Sequence, residues 1–421
     1  MTADVFVIQD LIDAGRIVVG DGYRAKNVEL GDPGTPFLRV ANLNNGFLVD
    51  QAECLAEENV PRAGQKLSLP GDVVFTGKGT VGRFGFVRDN TPRFVYSPQL
   101  CFWRVLDPSL IEPQWLYYWM HGTEFQDQLA SVSAQTDMAA YVSLRDQRRF
   151  TITIPPLPEQ RRIASILGCI DDKIELNRRM NRTLESIVRA IFKSWFVDMT
   201  LSRELMISGE SVPPSEEWPE IAFGDTVHIL SGGTPRTGEP EYWGGEVPWY
   251  SVADAPTDAD VFVVQTQKSI TDAGLKNSAA QLVPALTTII SARGTVGTCA
   301  MTARPMAFNQ SCFGLRPHEG FGIYYTYFST LTVVDALRRS AHGSVFSTIT
   351  RDTFRSVAVR KPPRHLVEAF EHAAEPLMNR VLLNVHETRR LVAIRDTLLP
   401  GLMSGALRHK APAERPRNAN A

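Results

Sequence analysis

The sequence predicts an α+β chain made by internal duplication, with two β-rich domains separated by two long antiparallel coiled-coil helices. Three observations predict this. First, the second half repeats the first at an offset of about 207 residues: Ile174, Leu176, Asn177, Leu184, Ile187 and Ile191 recur as Val381, Leu383, Asn384, Leu391, Ile394 and Leu398. Tyr117-Tyr118 and Pro155-Pro156 recur as Tyr324-Tyr325 and Pro362-Pro363 at the same offset. A repeat this long is a whole domain with its helix, not a solenoid unit of 20–50 residues. Second, a seam steps by fours and threes through Ile163, Leu167, Ile170, Ile174, Asn177, Asn181, Leu184, Val188, Ile191 and Trp195, as in a heptad coiled coil. Third, short β-branched and aromatic runs bounded by Gly and Pro fill the remainder.

Residues 1–157 form the first β-rich domain, with strands at Asp72-Val73-Val74-Phe75 and Phe94-Val95-Tyr96 and one helix over Pro113–Leu129. Pro155-Pro156-Leu157-Pro158 ends that pattern, and helical periodicity starts at Glu159. Residues 158–200 make the first long helix, roughly 60 Å at about 1.5 Å per residue. Residues 201–362 open with a Pro/Ser/Glu linker, Ser208–Trp218, and continue as the second β-rich domain. Residues 363–405 make the second long helix, with Phe370, Leu377, Val381, Asn384, Leu391 and Leu398 on its seam. The Pro-, Ala- and Arg-containing stretch 406–421 reads as a disordered tail. A helix of this length cannot bury its stripe alone, so the two are expected to pair. Asn177 and Asn384 are repeat-related, and a buried Asn costs stability while fixing register. The alternative places them at the wet edge of the seam.

Composition excludes several classes. With 421 residues and 43% hydrophobic side chains the chain can bury more than one core. No apolar run reaches the ~18 residues of a membrane span, and no signal pattern opens the chain, so a cytoplasmic protein is expected. Five cysteines without a CxxC pair argue against a disulfide framework or zinc. Net charge is −2, and only the helical stretches and tail are basic: 8 basic against 6 acidic residues in both 158–200 and 366–421. The β-rich stretches are acidic, 14 against 18 in 1–157 and 14 against 16 in 201–365. A stand-alone DNA binder carries a stronger basic footprint, so a DNA ligand here implies a partner that shares the phosphate contacts.

Catalytic signatures are missing. Gly71 to Gly77-Lys78 has the wrong spacing for a P-loop, no GxGxxG joins a strand to a helix, no HExxH occurs, and no Asn/Asp-Pro-Pro-aromatic tetrapeptide is present. What stands out is repeated and non-catalytic. Gly79-Thr80-Val81-Gly82 and Gly294-Thr295-Val296-Gly297 each follow a strand-like run and a cation, Lys78 or Arg293. Such a turn lets backbone N–H groups approach a phosphate; equally, its glycines serve only to supply positive φ. Gln99-Leu100-Cys101-Phe102 matches Gln310-Ser311-Cys312-Phe313, and Gln99 and Gln310 are placed to read adenine or to bond internally. In the second half Gly232-Gly233-Thr234-Pro235-Arg236 leads into Glu241-Tyr242-Trp243-Gly244-Gly245 and Pro248-Trp249-Tyr250, while the first half keeps only Gly34-Thr35-Pro36-Phe37-Leu38-Arg39. These aromatics either face a nucleic acid or, for Trp249 above all, close the core.

On these residues the chain resembles the specificity subunit of type I restriction-modification systems over nearly its whole length. Gly232–Pro235, Glu241–Gly245 and Pro248-Trp249 look like the opening of that family's target-recognition domains. Pro155–Ala164 resembles the start of its central helix, and Leu398–Gly405 the close of the distal one. The first domain departs from the pattern by lacking a Glu-Tyr-Trp-Gly-Gly counterpart. The resemblance implies a non-catalytic subunit whose two target-recognition domains each read one half of a bipartite, asymmetric double-stranded DNA sequence. It implies helices that set the gap and dock two modification (methyltransferase) subunits, which bind S-adenosylmethionine and methylate adenine. Restriction subunits using ATP and Mg join the same core. No cofactor, metal or membrane is expected for this chain itself.

The residues expected to contact DNA are Lys78, Thr80, Arg83 and Gln99 in the first domain and Arg236, Arg293, Thr295 and Gln310 in the second. The loops Ser133–Asp137 and Gly343–Ser347, with Ser344, precede the last strand of each domain and join them. The rival reading is a duplicated-domain interaction scaffold without a DNA role.

Overall fold

The computed structural model describes residues 3–44, 46–133, 141–198, 206–207, 210–211, 217–256, 260–340 and 348–407. Contacts divide the chain into two units, Met1–Asp172 with Val392–Ala421, and Lys173–Leu391. In order, the first runs β1 (Asp4–Val7), α1 (Ile8–Asp13), β2 (Ile17–Asp21), β3 (Gly34–Leu38), β4 (Cys54–Ala56), α2 (Val60–Ala63), β5 (Val73–Thr76), β6 (Phe84–Phe86), β7 (Val95–Tyr96) and β8 (Leu100–Val105). It continues through α3 (Pro113–His121), α4 (Thr123–Ser133), α5 (Leu144–Gln147), β9 (Thr151–Ile154) and the long α6 (Leu157–Phe192) as far as Asp172. The second takes up α6 and continues through β10 (Met206–Ile207), β11 (Glu210–Ser211), β12 (Glu220–Ala222), β13 (Val227–Ser231), β14 (Trp243–Tyr250), β15 (Phe262–Val263) and β16 (Lys268–Ile270). Then come α7 (Asp272–Lys276), β17 (Thr288–Ser291), β18 (Cys299–Thr302), β19 (Ala307–Phe308), β20 (Cys312–Pro317), α8 (Ile323–Ser340), α9 (Arg351–Ser356), β21 (Ala358–Arg360) and α10 (Arg364–Met403), which returns to the first unit at Val392.

Each unit repeats one plan. β1 pairs antiparallel with β9, and β12, which follows the β10-β11 pair, with β21. A larger sheet follows, β2-β8-β5-β6 in one and β13-β20-β17-β18-β15 in the other, beside a three-stranded sheet, β4-β3-β7 or β16-β14-β19. The single helix expected over Pro113–Leu129 is two helices: Gly122 adopts an extended conformation after α3, and α4 starts afresh at Thr123.

Strand pairing shows which residues are equivalent, and it shifts the sequence match by one. Phe75 pairs with Cys101 and Thr76 with Leu100, whereas Ile290 pairs with Phe313 and Ser291 with Cys312. Gln99 is therefore the counterpart of Ser311, not of Gln310; their carbonyls accept from Gly77 N at 2.9 Å and Ala292 N at 2.7 Å. Successive strand residues face opposite ways, so Cys101 and Cys312 lie in different cores despite their matching neighbours. Gly34-Thr35-Pro36 is likewise not the counterpart of Gly233-Thr234-Pro235. Phe37-Leu38 pairs with Val95-Tyr96 as Trp249-Tyr250 pairs with Ala307-Phe308, which equates Pro36 with Pro248. The counterpart of Gly232-Gly233 is Gly22-Tyr23, whose Tyr23 N donates to Tyr96 O at 2.7 Å as Gly233 N does to Phe308 O at 2.9 Å. A Cβ on Gly22 or Gly232 would fall on the carbonyl oxygen of Ser97 or Asn309, so both positions require glycine.

The helices complete each core from within. In the first unit Ile163, Leu167 and Leu402 join Trp103, Trp115, Trp119 and Phe125, with Leu398 packed against them. In the second, Val188, Phe192, Phe370, Ala374, Met378 and Val381 join Tyr325, Tyr327 and Phe328, with Leu184, Ile191 and Leu377 partly buried beside them. Ile174 is buried, and Ile170 and Leu391 are half-buried. Just past its end α6 widens into a π turn, Lys193–Val197, where Trp195 and Phe196 meet Phe370 edge-on.

Within each unit the helix segments pair antiparallel. In the first, Arg395 reaches Asp171 at 2.9 Å, and the Tyr118 hydroxyl donates to the same carboxylate at 2.8 Å. In the second, Asn384 Nδ2 donates to Asn181 Oδ1 at 2.9 Å, and Asn177 Nδ2 to Glu387 Oε2 at 2.9 Å. Asn177, Asn181 and Asn384 are at most 1% exposed, so none sits at a wet edge. The Asn177 hydrogen bond, with Lys173 beside it, holds the Glu387 carboxyl below the usual range. An Asn384→Leu substitution strands the Asn181 carbonyl oxygen in the seam and is expected to cost about 1–3 kcal/mol. Leu at both positions recovers much of that loss. Urea denaturation of both single variants and the double measures the coupling, and additive losses would show that the amides do not act as a pair.

Candidate nucleic-acid interface

The Gly-Thr-Val-Gly turns join β5 to β6 and β17 to β18. Gly79, Gly82, Gly294 and Gly297 have φ of 84°, 95°, 78° and 81°, a region other residues rarely enter. Each turn is closed by the last residue of the preceding strand. The Thr76 hydroxyl donates to the Thr80 carbonyl and accepts from Arg83 N at 3.0 Å; the Ser291 hydroxyl donates to the Thr295 carbonyl and accepts from Thr298 N at 2.9 Å. Val81 and Val296 pack inward. The glycines thus meet a conformational demand, and the result is an exposed tip bearing Lys78 and Thr80 in one domain and Arg293 and Thr295 in the other. Lys78 Nζ lies 5.9 Å from the centroid of the Tyr141 ring.

The other expected residues differ in kind. Arg83 is half-buried and donates to the carbonyls of Val40 at 3.3 Å and Leu43 at 3.4 Å, so its guanidinium braces a neighbouring loop. Gln99 buries its Oε1 without a partner among the described residues, whereas Gln310 is exposed and accepts from the Thr234 hydroxyl. Offset by one in register, the two glutamines are not a repeated reading pair. Arg236 is exposed, and its carbonyl accepts from Trp243 Nε1 at 3.2 Å. Trp249 is buried with Nε1 donating to Gly233 O at 2.9 Å, so this tryptophan closes the core. Ser344 and its loop lie outside the described residues, as do residues 134–137 and the tail from 408.

No motif in the sequence marks Gln267 or Lys268; it is the pairing of β14 with β16 that brings Lys268 Nζ within 5.6 Å of the Trp243 ring centroid. Burial pushes the thiols of Cys101, Cys299 and Cys312 up to about 12, which keeps them protonated and unreactive at neutral pH. Among the described residues no group of three or more His, Cys, Asp or Glu is placed to hold a metal ion, and no helix is long and apolar enough to cross a membrane.

The family model for the type I restriction modification DNA specificity domain matches residues 3–186 and 215–365, once for each β-rich domain. The chain is similar to the type I restriction enzyme HindI specificity subunit of Haemophilus influenzae, 24% identical across 89% of this chain and 95% of that one. It is also similar to the putative type I restriction enzyme MjaX specificity subunit of Methanocaldococcus jannaschii, 18% identical across 97% and 94%. Its fold is similar to that of the type I restriction-modification S subunit from M. genitalium, with a TM-score of 0.56 at 15% identity over 96% of each chain.

Removing an exposed cation by Lys78→Ala or Arg293→Ala is expected to weaken duplex binding by the assembled complex and to lower the slope of log K against log salt by about 1. Melting temperature and assembly with partners should stay unchanged. Arg83→Ala, by contrast, should lower the melting temperature. Fluorescence anisotropy at several salt concentrations, beside thermal unfolding, checks both. An Arg293→Ala chain that no longer assembles would remove Arg293 from the DNA-facing set.

Proposed function

The chain belongs to the type I restriction-modification DNA specificity family, and from that premise we propose that each β-rich domain reads one half of a bipartite, asymmetric duplex target. As a member it is the non-catalytic subunit that supplies sequence specificity; the chemistry belongs to the subunits it directs. A scaffold without a DNA role is not favoured. One observation carries the two-half reading: both domains build the same arrangement of sheets, with β15 added to the larger one in the second, and the same Gly-Thr-Val-Gly turn with an exposed cation at its tip, yet surround it with different loops. A common frame with divergent loops suits two readers of different base sequences, because phosphate contacts position a protein while base contacts specify.

In this reading residues 1–157 and 201–362 are the two readers, and 158–200 and 363–405 the helices that hold the gap between half-sites constant. The paired helices also seat two modification subunits carrying S-adenosylmethionine, and restriction subunits drawing on ATP and Mg complete the assembly in the cytoplasm. The net charge of −2 fits this reading, since the partners close around the duplex and share the phosphate contacts. Lys78, Thr80, Arg236, Arg293, Thr295 and Gln310 are the contacts the exposed geometry supports best.

The test is co-expression with the cognate modification subunit in a methylation-free host, followed by a genome-wide map of N6-methyladenine. The expected result is a single motif of two unlike halves separated by a fixed gap. A stable purified complex that adds no methylation would refute the reading.

A further inference from the structure

In the second domain β14, β16 and the loop before β14 leave an open cleft of roughly 380 Å³ lined by Thr237, Trp243, Gly244, Gln267, Lys268 and Ser269. Its wall is the half-exposed ring of Trp243, held edge-on against Trp249 at 5.1 Å and tied by Nε1 to the Arg236 carbonyl. The segment carrying Gln267 and Lys268, at the start of β16, is fixed from behind. The Thr266 hydroxyl accepts from Trp249 N at 3.2 Å and donates to Lys268 O at 2.6 Å, while Gln267 N donates to Asp254 Oδ1 at 2.6 Å. Gly245 permits this close strand approach, since a Cβ there would meet Thr271 Cα at 2.5 Å. The exposed side chains of Gln267 and Lys268 make no hydrogen bond or ion pair among the described residues, so their donors remain available on a rigid base.

The first domain builds something different at this place. Pro36 pairs with Cys54 as Pro248 pairs with Ser269, and Trp249 pairs with Lys268. Phe37, the counterpart of Trp249, donates its N–H to Glu53 O at 2.7 Å, which puts Glu53 where the second domain has Lys268, and Ala52 where it has Gln267. Glu53 is itself paired with Arg39 at 2.8 Å. Donor and acceptor are thus exchanged between equivalent positions of two otherwise matching sheets. The cleft also continues the surface already assigned to DNA: Arg236 is at its rim, and Thr234, two residues earlier, bonds Gln310.

We propose that this cleft reads one purine of the half-site recognised by the second domain, with Lys268 and Gln267 donating to its major-groove edge and Trp243 as the apolar wall. Lysine pairs with guanine O6 and N7, and glutamine with adenine N7 and N6, so N7 is the shared acceptor. Inside the cleft a neutral amide and an indole face accompany Lys268, with Arg236 only at the rim, a lining that suits a base edge better than a phosphate. The proposal rests on the two-half reading of the target.

The experiment is the methyladenine map repeated with Gln267→Ala, Lys268→Ala and Lys268→Glu in the full complex. Both sites are exposed, and thermal unfolding confirms that each variant folds. The expected result is loss of discrimination, about tenfold or more, at one purine position of one half-site, with the other half and the gap unchanged. A uniform fall in methylation with the motif intact would assign Lys268 to a phosphate and overturn the proposal, as would a map identical to that of the unaltered chain. If the unaltered chain directs methylation to no bipartite motif, the two-half reading itself fails, and this proposal with it.

Discussion

A buried amide pair, Asn384 to Asn181 at 2.9 Å, is the constraint on which the pairing of the long helices depends. Apolar seams tolerate a slip of one heptad, because one leucine replaces another in the same hole. An amide does not tolerate it, since a slip leaves each Asn facing hydrocarbon with its hydrogen bonds unmade. Asn177 on Glu387 adds a second polar lock four residues away along α6. The register matters beyond the helices, because each domain finishes its core with helix side chains: Ile163, Leu167 and Leu402 in one unit, Val188, Phe192, Phe370 and Val381 in the other.

Much of this was legible in the sequence because its signal is periodic. The four-three stepping from Ile163 to Trp195, the Pro-Pro breaks and the offset of 207 residues gave the helices and the duplication. Identity matching failed where the signal was short. The shared letters around Cys101 and Cys312 aligned two strands one residue out of step, which for a period of two places the wrong side chains on each face. Gly22 could not be matched to Gly232, because what they share is a close backbone approach to Ser97 or Asn309 and not a surrounding motif. Asn181 stood in the seam, but its partner follows from antiparallel packing, and a repeat offset pairs equivalent residues instead. Lys268 and Gln267 carry no motif, and the cleft beside Trp243 comes from strand pairing alone.

The two domains also show how one frame accommodates different contents. Gly20 faces Phe102 across β2 and β8, whereas Leu230 faces Gly314 across β13 and β20, so the bulk has changed strands while the pair keeps one large and one small residue. Arg104 is held by the buried carboxylate of Asp72 at 2.6 Å, whereas Arg316 on the matching strand bonds the Ala285 carbonyl at 3.3 Å. Compensated changes of this kind leave the sheets intact. The surface then varies freely, from Glu53 in the first domain to Lys268 in the second, and a reader of asymmetric DNA needs that freedom.

The central claim is that recognition is divided between the domains while the helices set the spacing. Exchanging residues 217–360 for the corresponding domain of a related chain, with both helices retained, tests it most directly through the methylated motif of the resulting complex. The account predicts a new second half beside an unchanged first half at an unchanged gap. Alteration of both halves, or of neither, in a complex that still methylates DNA would contradict it.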